Sequence, residues 1–262
     1  MNAAPSHDYQ RVYVWEQPVR WFHWINAAAI VVLGVSGFLI AHPPAFVTST
    51  EASAGYWFGA MRFAHFAMGY VFAANLAFRI YWSFVGNKFA SWRNFLPLTR
   101  AQTRQVWEVM QVDILQRSNK PVHALGHNAV AYFTYGGTLF LSLFQIVSGF
   151  ALYAPTSDSW FPALFLWIVP LFGSEQNLRI FHYAITWAFA LFTFVHVYLV
   201  VYHDYVEGHG GLSSIIGGWK FMEKHQAQAE RTTGLSAVIA KTSAPAETAA
   251  AVSAKPVPAK GP

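Results

Sequence analysis

The chain has no cysteine among its 262 residues, and Asp, Glu, Lys and Arg together make up only 11% of it. The first absence excludes disulfides, zinc–thiolate sites, iron–sulfur clusters held by this chain alone and covalently attached haem. The second leaves less than half the charged fraction of about 25% usual in soluble domains, too little for a water-compatible surface. Acidic residues are the scarcer sign, 12 against 17 basic, for a formal net charge of +5. The basic residues are spread between apolar runs instead of forming a patch, which suits membrane topology and argues against nucleic acid as a partner. In abundance are apolar and aromatic residues, 55% hydrophobic with 23 Phe, 12 Tyr and 11 Trp, a composition foreign to disordered chains. Eleven histidines are then the strong metal ligands present in number.

Four runs, 21–41, 63–85, 128–153 and 180–202, are long enough to cross a hydrocarbon core, which takes about 20 apolar residues in a helix. Three carry no charged residue, and the second carries only Arg79, near enough to its end to snorkel into the head-group layer. Barrel strands alternate apolar and polar, so such continuous runs exclude a β-barrel. An all-α, integral membrane four-helix bundle is expected. A fifth run, 160–171, is short and holds Pro162 and Pro170; it is predicted to be a loop or interfacial segment. The first run is too long for a signal-peptide core and leads into His42, Pro43 and Pro44 without a cleavage site, so it is predicted to remain as an anchor.

With four spans both termini share a side with the loop of residues 86–126, which contains Lys88, Arg93, Arg100, Arg104, Arg117 and Lys120. The opposite side has only Arg62 and Arg179, at helix borders, so 15 of the 17 basic residues fall on the first side. The positive-inside rule predicts both termini to be cytoplasmic. The expected organisation is a cytoplasmic segment 1–17, a four-span domain 18–208, a cytoplasmic extension 209–225 and a disordered tail 226–262 rich in Ala, Pro, Ser and Thr.

Four histidines, His23, His65, His182 and His196, fall within the spans, where a strongly polar side chain calls for a partner and a function. His182 and His196 are 14 residues apart, which places them within about 40° on one helix face and about 21 Å apart along the axis. They cannot share one metal, but suit two sites at different depths. Depth pairs His65 with His182 and His23 with His196, and two bis-histidine sites are what two haem b groups require. Arg20, Arg62 and Arg179 each precede a histidine by three residues, on the same face and one turn nearer water, as guanidiniums pairing with haem propionates would. Simpler readings stand beside this one. Any single histidine suits an interhelical hydrogen bond, and the arginines suit positive flanks or lipid contacts. Gly34, Gly37, Gly69, Gly136, Gly137 and Gly149 suit close helix packing as well as approach to a macrocycle.

Of the other histidines, His7 and His225 lie in polar ends, and His42 and His209 in loops. His203, one heptad beyond His196, is a rival ligand if the fourth span is shifted. His123 and His127, four apart at the start of the third span, have a spacing that can chelate a metal. His127 and Asn128, with Tyr202, Asp204 and Tyr205, could instead hydrogen-bond a quinone. Ordinary helix-end capping accounts for the same residues.

RWFHWINAAAIVVLGVSGFLI, GHNAVAYF, VSGFALY and RIFHYAITWAFALFTFVHVYLVVYHDYVE, with Arg179, His182, Trp187 and His196 in their spacing, resemble the b-type cytochrome subunit of membrane-bound nickel–iron uptake hydrogenases. The related cytochrome subunit of respiratory formate dehydrogenase is similar in its helices and ligands. The resemblance covers roughly residues 10–224 and implies a multi-pass protein of the bacterial inner membrane. It implies haem b ligation by His65 and His182 on the periplasmic side and by His23 and His196 on the other. It also implies hydrogenase small and large subunits as partners, electrons arriving from the small subunit's iron–sulfur relay, quinone as acceptor, and Asn128 as a quinone-site residue. The H₂-activating site would belong to the partner. Competing readings are a haem-free histidine-relay transporter, a purely structural anchor, and the same cytochrome serving another periplasmic donor such as formate dehydrogenase.

Overall fold

The computed structural model describes residues 9–45, 56–87, 90–92, 129–207 and 211–223. They fall into two compact units. In the smaller, residues 9–12 and 221–223 belong to two strands, β1 (Tyr9–Tyr13) and β2 (Trp219–Glu223), paired in a two-stranded sheet.

The larger unit, residues 13–220, is built on four long helices: α1 (Gln17–Ala41), α2 (Trp57–Val85), α3 (Ala129–Tyr153) and α4 (Glu175–Glu207). All four are long and apolar enough to cross a membrane, as the apolar runs predicted. Three begin ahead of those runs, at Gln17, Trp57 and Glu175, and the first and last of these have residues that sit well at helix starts. Pro18 has its φ pre-set for the first turn of α1. The Ser174 hydroxyl accepts from the Asn177 N–H at 3.2 Å, capping α4, and Glu175 follows in its first turn. Pro43 and Pro44 prevent α1 from continuing beyond His42.

Contacts fix an up-down-up-down order. Glu16, before α1, meets Trp82 near the end of α2, while Ser36, late in α1, meets His65, early in α2. Tyr135, early in α3, meets Arg79, late in α2. His23 and His196 join the start of α1 to the later part of α4. Large apolar side chains such as Phe84, Phe140 and Leu143 point outward, where lipid is the solvent. The buried stripe of α2, Phe72, Asn75, Leu76, Arg79 and Ser83, is largely polar, the distribution expected where interhelical hydrogen bonds and small residues hold helices together. Asn75 Nδ2 donates to the Phe22 carbonyl of α1 at 3.1 Å.

Arg79 departs from the sequence expectation. It does not snorkel: it is 3% exposed, with Nη1 donating to the Ala90 carbonyl at 3.1 Å and Nε to the Tyr135 hydroxyl. A partner in the second turn of another span satisfies it more directly than the head-group layer would. Residues 160–171 form one helical turn (Trp160–Ala163) and a 3₁₀ stretch (Leu166–Phe172), too short to span, packed through Ile168 on Ala151 and Leu178. After α4, a short helix α5 (Gly211–Gly217) returns to the start of α1, where the carbonyls of Ile216 and Ile215 accept from Arg20 and from Trp24 Nε1. Gly218 closes α5 with φ +87°, and a Cβ there would meet the Tyr13 ring at 2.6 Å and the Trp15 carbonyl at 2.8 Å. Only glycine fits that position. The expected tail, 226–262, lies outside the described residues.

Candidate functional site

Two histidines come from each half of the bundle. His23 lies in the second turn of α1 and His196 in the later part of α4, and their rings face each other with centroids 6.3 Å apart and planes inclined by 53°. Two imidazoles on opposite faces of one metal ion, each nitrogen about 2 Å from it, hold their ring centres about 6 Å apart. Nδ1 of His23 and Nε of Arg20 are buried without a hydrogen-bond partner, which makes both available to a bound group. His196 stacks on Phe192 at 5.4 Å.

Near the other end of the bundle, His65 of α2 and His182 of α4 line one cavity of about 1210 Å³, larger than the roughly 300–1,000 Å³ of common small-molecule pockets. Arg62 and Arg179, one turn before the two histidines, line the same cavity, as do Gly34, Gly37, Gly69 and Gly149. Arg62 also lies over the Phe66 ring at 5.7 Å. The glycines supply room: a Cβ on Gly37 would sit 3.1 Å from Cε1 of His65, and one on Gly149 3.3 Å from Cε1 of His182. Next to each glycine a serine meets the same ring. Ser36 Oγ is 3.0 Å from His65 Nδ1, and Ser148 Oγ is 2.8 Å from His182 Nδ1.

The local sequence behind this is a repeat that sequence reasoning missed, Val35-Ser36-Gly37-Phe38 and Val147-Ser148-Gly149-Phe150. Each copy sits late in the first helix of a hairpin and serves an Arg-x-x-His early in the second. The two hairpins thus build two similar halves around one cavity. His42, read from sequence as a loop residue, lies on the cavity wall, stacked on Phe38 at 5.0 Å and tilted against Tyr183 at 5.7 Å. Gln145 also lines the cavity; its Nε2 donates to Thr186 Oγ1 at 3.2 Å, and its Oε1 is buried without a partner.

His127 and Asn128, and with them His7, His123, His209 and His225, lie outside the described residues. Of the companions suggested for them, Asp204 is engaged in capping: its carboxylate accepts from the Leu212 N–H at 3.1 Å at the start of α5. Tyr202 stacks on Tyr198 at 5.9 Å.

A cavity walled by paired histidines, arginines and glycines in a four-span bundle has the donor set of a membrane cytochrome, and residues 14–218 match the family of prokaryotic cytochrome b561. The chain belongs to the prokaryotic cytochrome b561 family. It is accordingly a multi-pass protein of the bacterial inner membrane and a haem b protein. It is 40% identical over 221 residues to a protein of Azotobacter vinelandii named probable Ni/Fe-hydrogenase B-type cytochrome subunit, covering 81% of this chain and 89% of that one. Proteins of the same name from Cupriavidus necator (37% identical; 83% and 90% covered) and, as hydrogenase 1, Escherichia coli K12 (32%; 79% and 90%) are similar as well. The resemblance read from the sequence motifs is therefore upheld at the level of the family. For a cytochrome b561, neutral imidazole nitrogens and nearby guanidiniums fit the iron and the two carboxylates of a haem.

Proposed function

We propose that this chain is the haem-bearing membrane subunit of a nickel–iron hydrogenase, carrying electrons from the iron–sulfur small subunit of a periplasmic enzyme to the quinone pool. In this reading residues 18–208 hold two haem b groups, one between His65 and His182 and one between His23 and His196. Haem b supplies one-electron carriage at each level. The observation that carries the reading is the pairing of four intramembrane histidines at two levels. His182 and His196, on one helix, are 14 residues apart, about 21 Å, and each has its partner on a different helix.

Each side chain then has a task. The four imidazoles hold iron, Arg62 and Arg179 neutralise carboxylates at the periplasmic level, and Arg20 serves the cytoplasmic level through its free Nε while its other nitrogen holds the Ile216 carbonyl. The aromatic wall of Phe38, Tyr183 and Trp187 between α1 and α4 shields the cavity from lipid. His127 and Asn128 are the proposed hydrogen-bond partners of the quinone, at the cytoplasmic end. The chain supplies no thiolate, so H₂ cleavage belongs to the hydrogenase large subunit and iron–sulfur transfer to the small one.

Reduced-minus-oxidised spectra with haem quantification, on wild type and on His23→Ala, His65→Ala, His182→Ala and His196→Ala, test the assignment. Wild type is expected to hold two low-spin haems and each variant to lose the haem of its own pair. A colourless wild type would return the transporter reading, and retention of both haems in His182→Ala would refute the pairing. H₂ is expected to reduce the haem only in membranes that contain the hydrogenase subunits. Reduction by formate instead would name a different donor.

A further inference from the structure

We propose that Ser36 and Ser148 are positioning residues that fix the tautomer and the electron-donating strength of His65 and His182. The inference rests on the reading of those two histidines as axial ligands. Each serine hydroxyl has its own proton committed to a backbone carbonyl one turn back, Ser36 to Val32 at 2.6 Å and Ser148 to Phe144 at 2.7 Å. A hydroxyl so engaged faces its third neighbour as an acceptor. The neighbours, at 3.0 and 2.8 Å, are Nδ1 of His65 and Nδ1 of His182. Both rings must therefore donate from Nδ1–H, which leaves Nε2 as the bare nitrogen able to ligate a metal. The adjoining glycine completes the device, since its missing Cβ is what admits the Cε1 edge of the ring at 3.1 and 3.3 Å.

The same four residues appear twice, on α1 and α3, for two histidines on α2 and α4, so the arrangement is not an accident of one contact. The acceptor on Nδ1–H strengthens the imidazole as a donor to iron and favours the oxidised state.

The test is a redox titration with low-spin electron paramagnetic resonance on the full chain in its membranes, for Ser36→Ala, Ser148→Ala, the double variant and the hydroxyl-retaining Ser148→Thr. Haem content is expected to stay at the wild-type level. Ser36→Ala and Ser148→Ala should each shift the haem equilibrium about threefold toward the reduced form, and the double variant about tenfold, which is 59 mV for one electron. The signal should move with them, and Ser148→Thr should remain near wild type. Alanine variants with wild-type potential and signal would overturn the proposal, as would Ser148→Thr shifting as far as Ser148→Ala. If Ser148→Ala binds no haem, Ser148→Thr decides: haem restored supports the role, haem still missing overturns it. Failure of the ligand reading looks different, because His65→Ala and His182→Ala would then keep both haems whatever the serines do.

Discussion

Arg79 is the one charged side chain inside the four apolar runs, and it is enclosed by protein on every side. A guanidinium withdrawn from water is tolerated when its N–H groups are met by acceptors in its own plane. Here the acceptors come from the end of α2's own loop and from α3, while the rings of Phe22 on α1 and Tyr135 on α3 lie 5.7 and 5.4 Å from the charge. Desolvated cation–ring contacts of this kind contribute about 2 kcal/mol. One side chain therefore ties three spans together. Arg79→Ala strips the Tyr135 hydroxyl and the Ala90 carbonyl of a charged donor and is expected to cost about 3 kcal/mol, read as a lower midpoint for thermal loss of the haem absorbance. Arg79→Lys should recover part of it, since an ammonium lacks the planar fork. A wild-type midpoint in Arg79→Ala would show that the contacts hold nothing.

At the scale of elements, the open end of the α1–α2 hairpin is held by a polar clasp. Where α1 starts and α2 finishes, the Glu16 carboxylate accepts from Trp82 Nε1 and from the Asn87 N–H, both at 3.0 Å, and Asn87 Nδ2 donates to the Val14 carbonyl at 3.2 Å. Hydrogen bonds to a charged acceptor are worth about 1.5–3 kcal/mol each. Glu16→Ala is expected to lower stability by about 2 kcal/mol in the same thermal assay and to leave the haem spectrum unchanged, with Glu16→Gln milder because its amide oxygen still accepts. A changed spectrum in Glu16→Ala would mean that the clasp also shapes the haem site.

The helices themselves were legible because a membrane demands about 20 apolar residues in a row, whereas the starts at Gln17, Trp57 and Glu175 were not, since they lie outside the apolar cores; Pro18 and Ser174 mark the first and last of them, and no side-chain cap marks Trp57. The four histidines and their arginines were legible as polar exceptions in apolar runs. Ser36 and Ser148 were hidden by the same logic, as a serine can satisfy itself on the carbonyl one turn back; only the doubled Val-Ser-Gly-Phe marks them. The burial of Arg79 and the pairing of β1 with β2 depend on partners from distant parts of the chain, which no local pattern announces.

For the molecule as a whole, the direction in which it sits in the membrane decides which haem level meets the donor. In the proposed orientation Arg62 and Arg179 lie at the periplasmic end, and the start of α1, the end of α4 and α5 at the cytoplasmic end. The asymmetry is large, 15 basic residues against 2, and each Lys or Arg weighs toward retention on the cytoplasmic side. The absence of cysteine makes the question directly measurable, because a single introduced thiol has no background. Ser159→Cys places one in the exposed segment between α3 and α4, and Ser213→Cys places one in the exposed part of α5; each changes one atom. A membrane-impermeant maleimide added to intact cells with a permeabilised outer membrane is expected to label Ser159→Cys and to spare Ser213→Cys until the inner membrane is opened. The reverse pattern would put His23 and His196 nearest a periplasmic donor. Electrons would then have to enter at the level where Arg20 already holds a backbone carbonyl, and leave beside the two arginines and the paired serines of the other level.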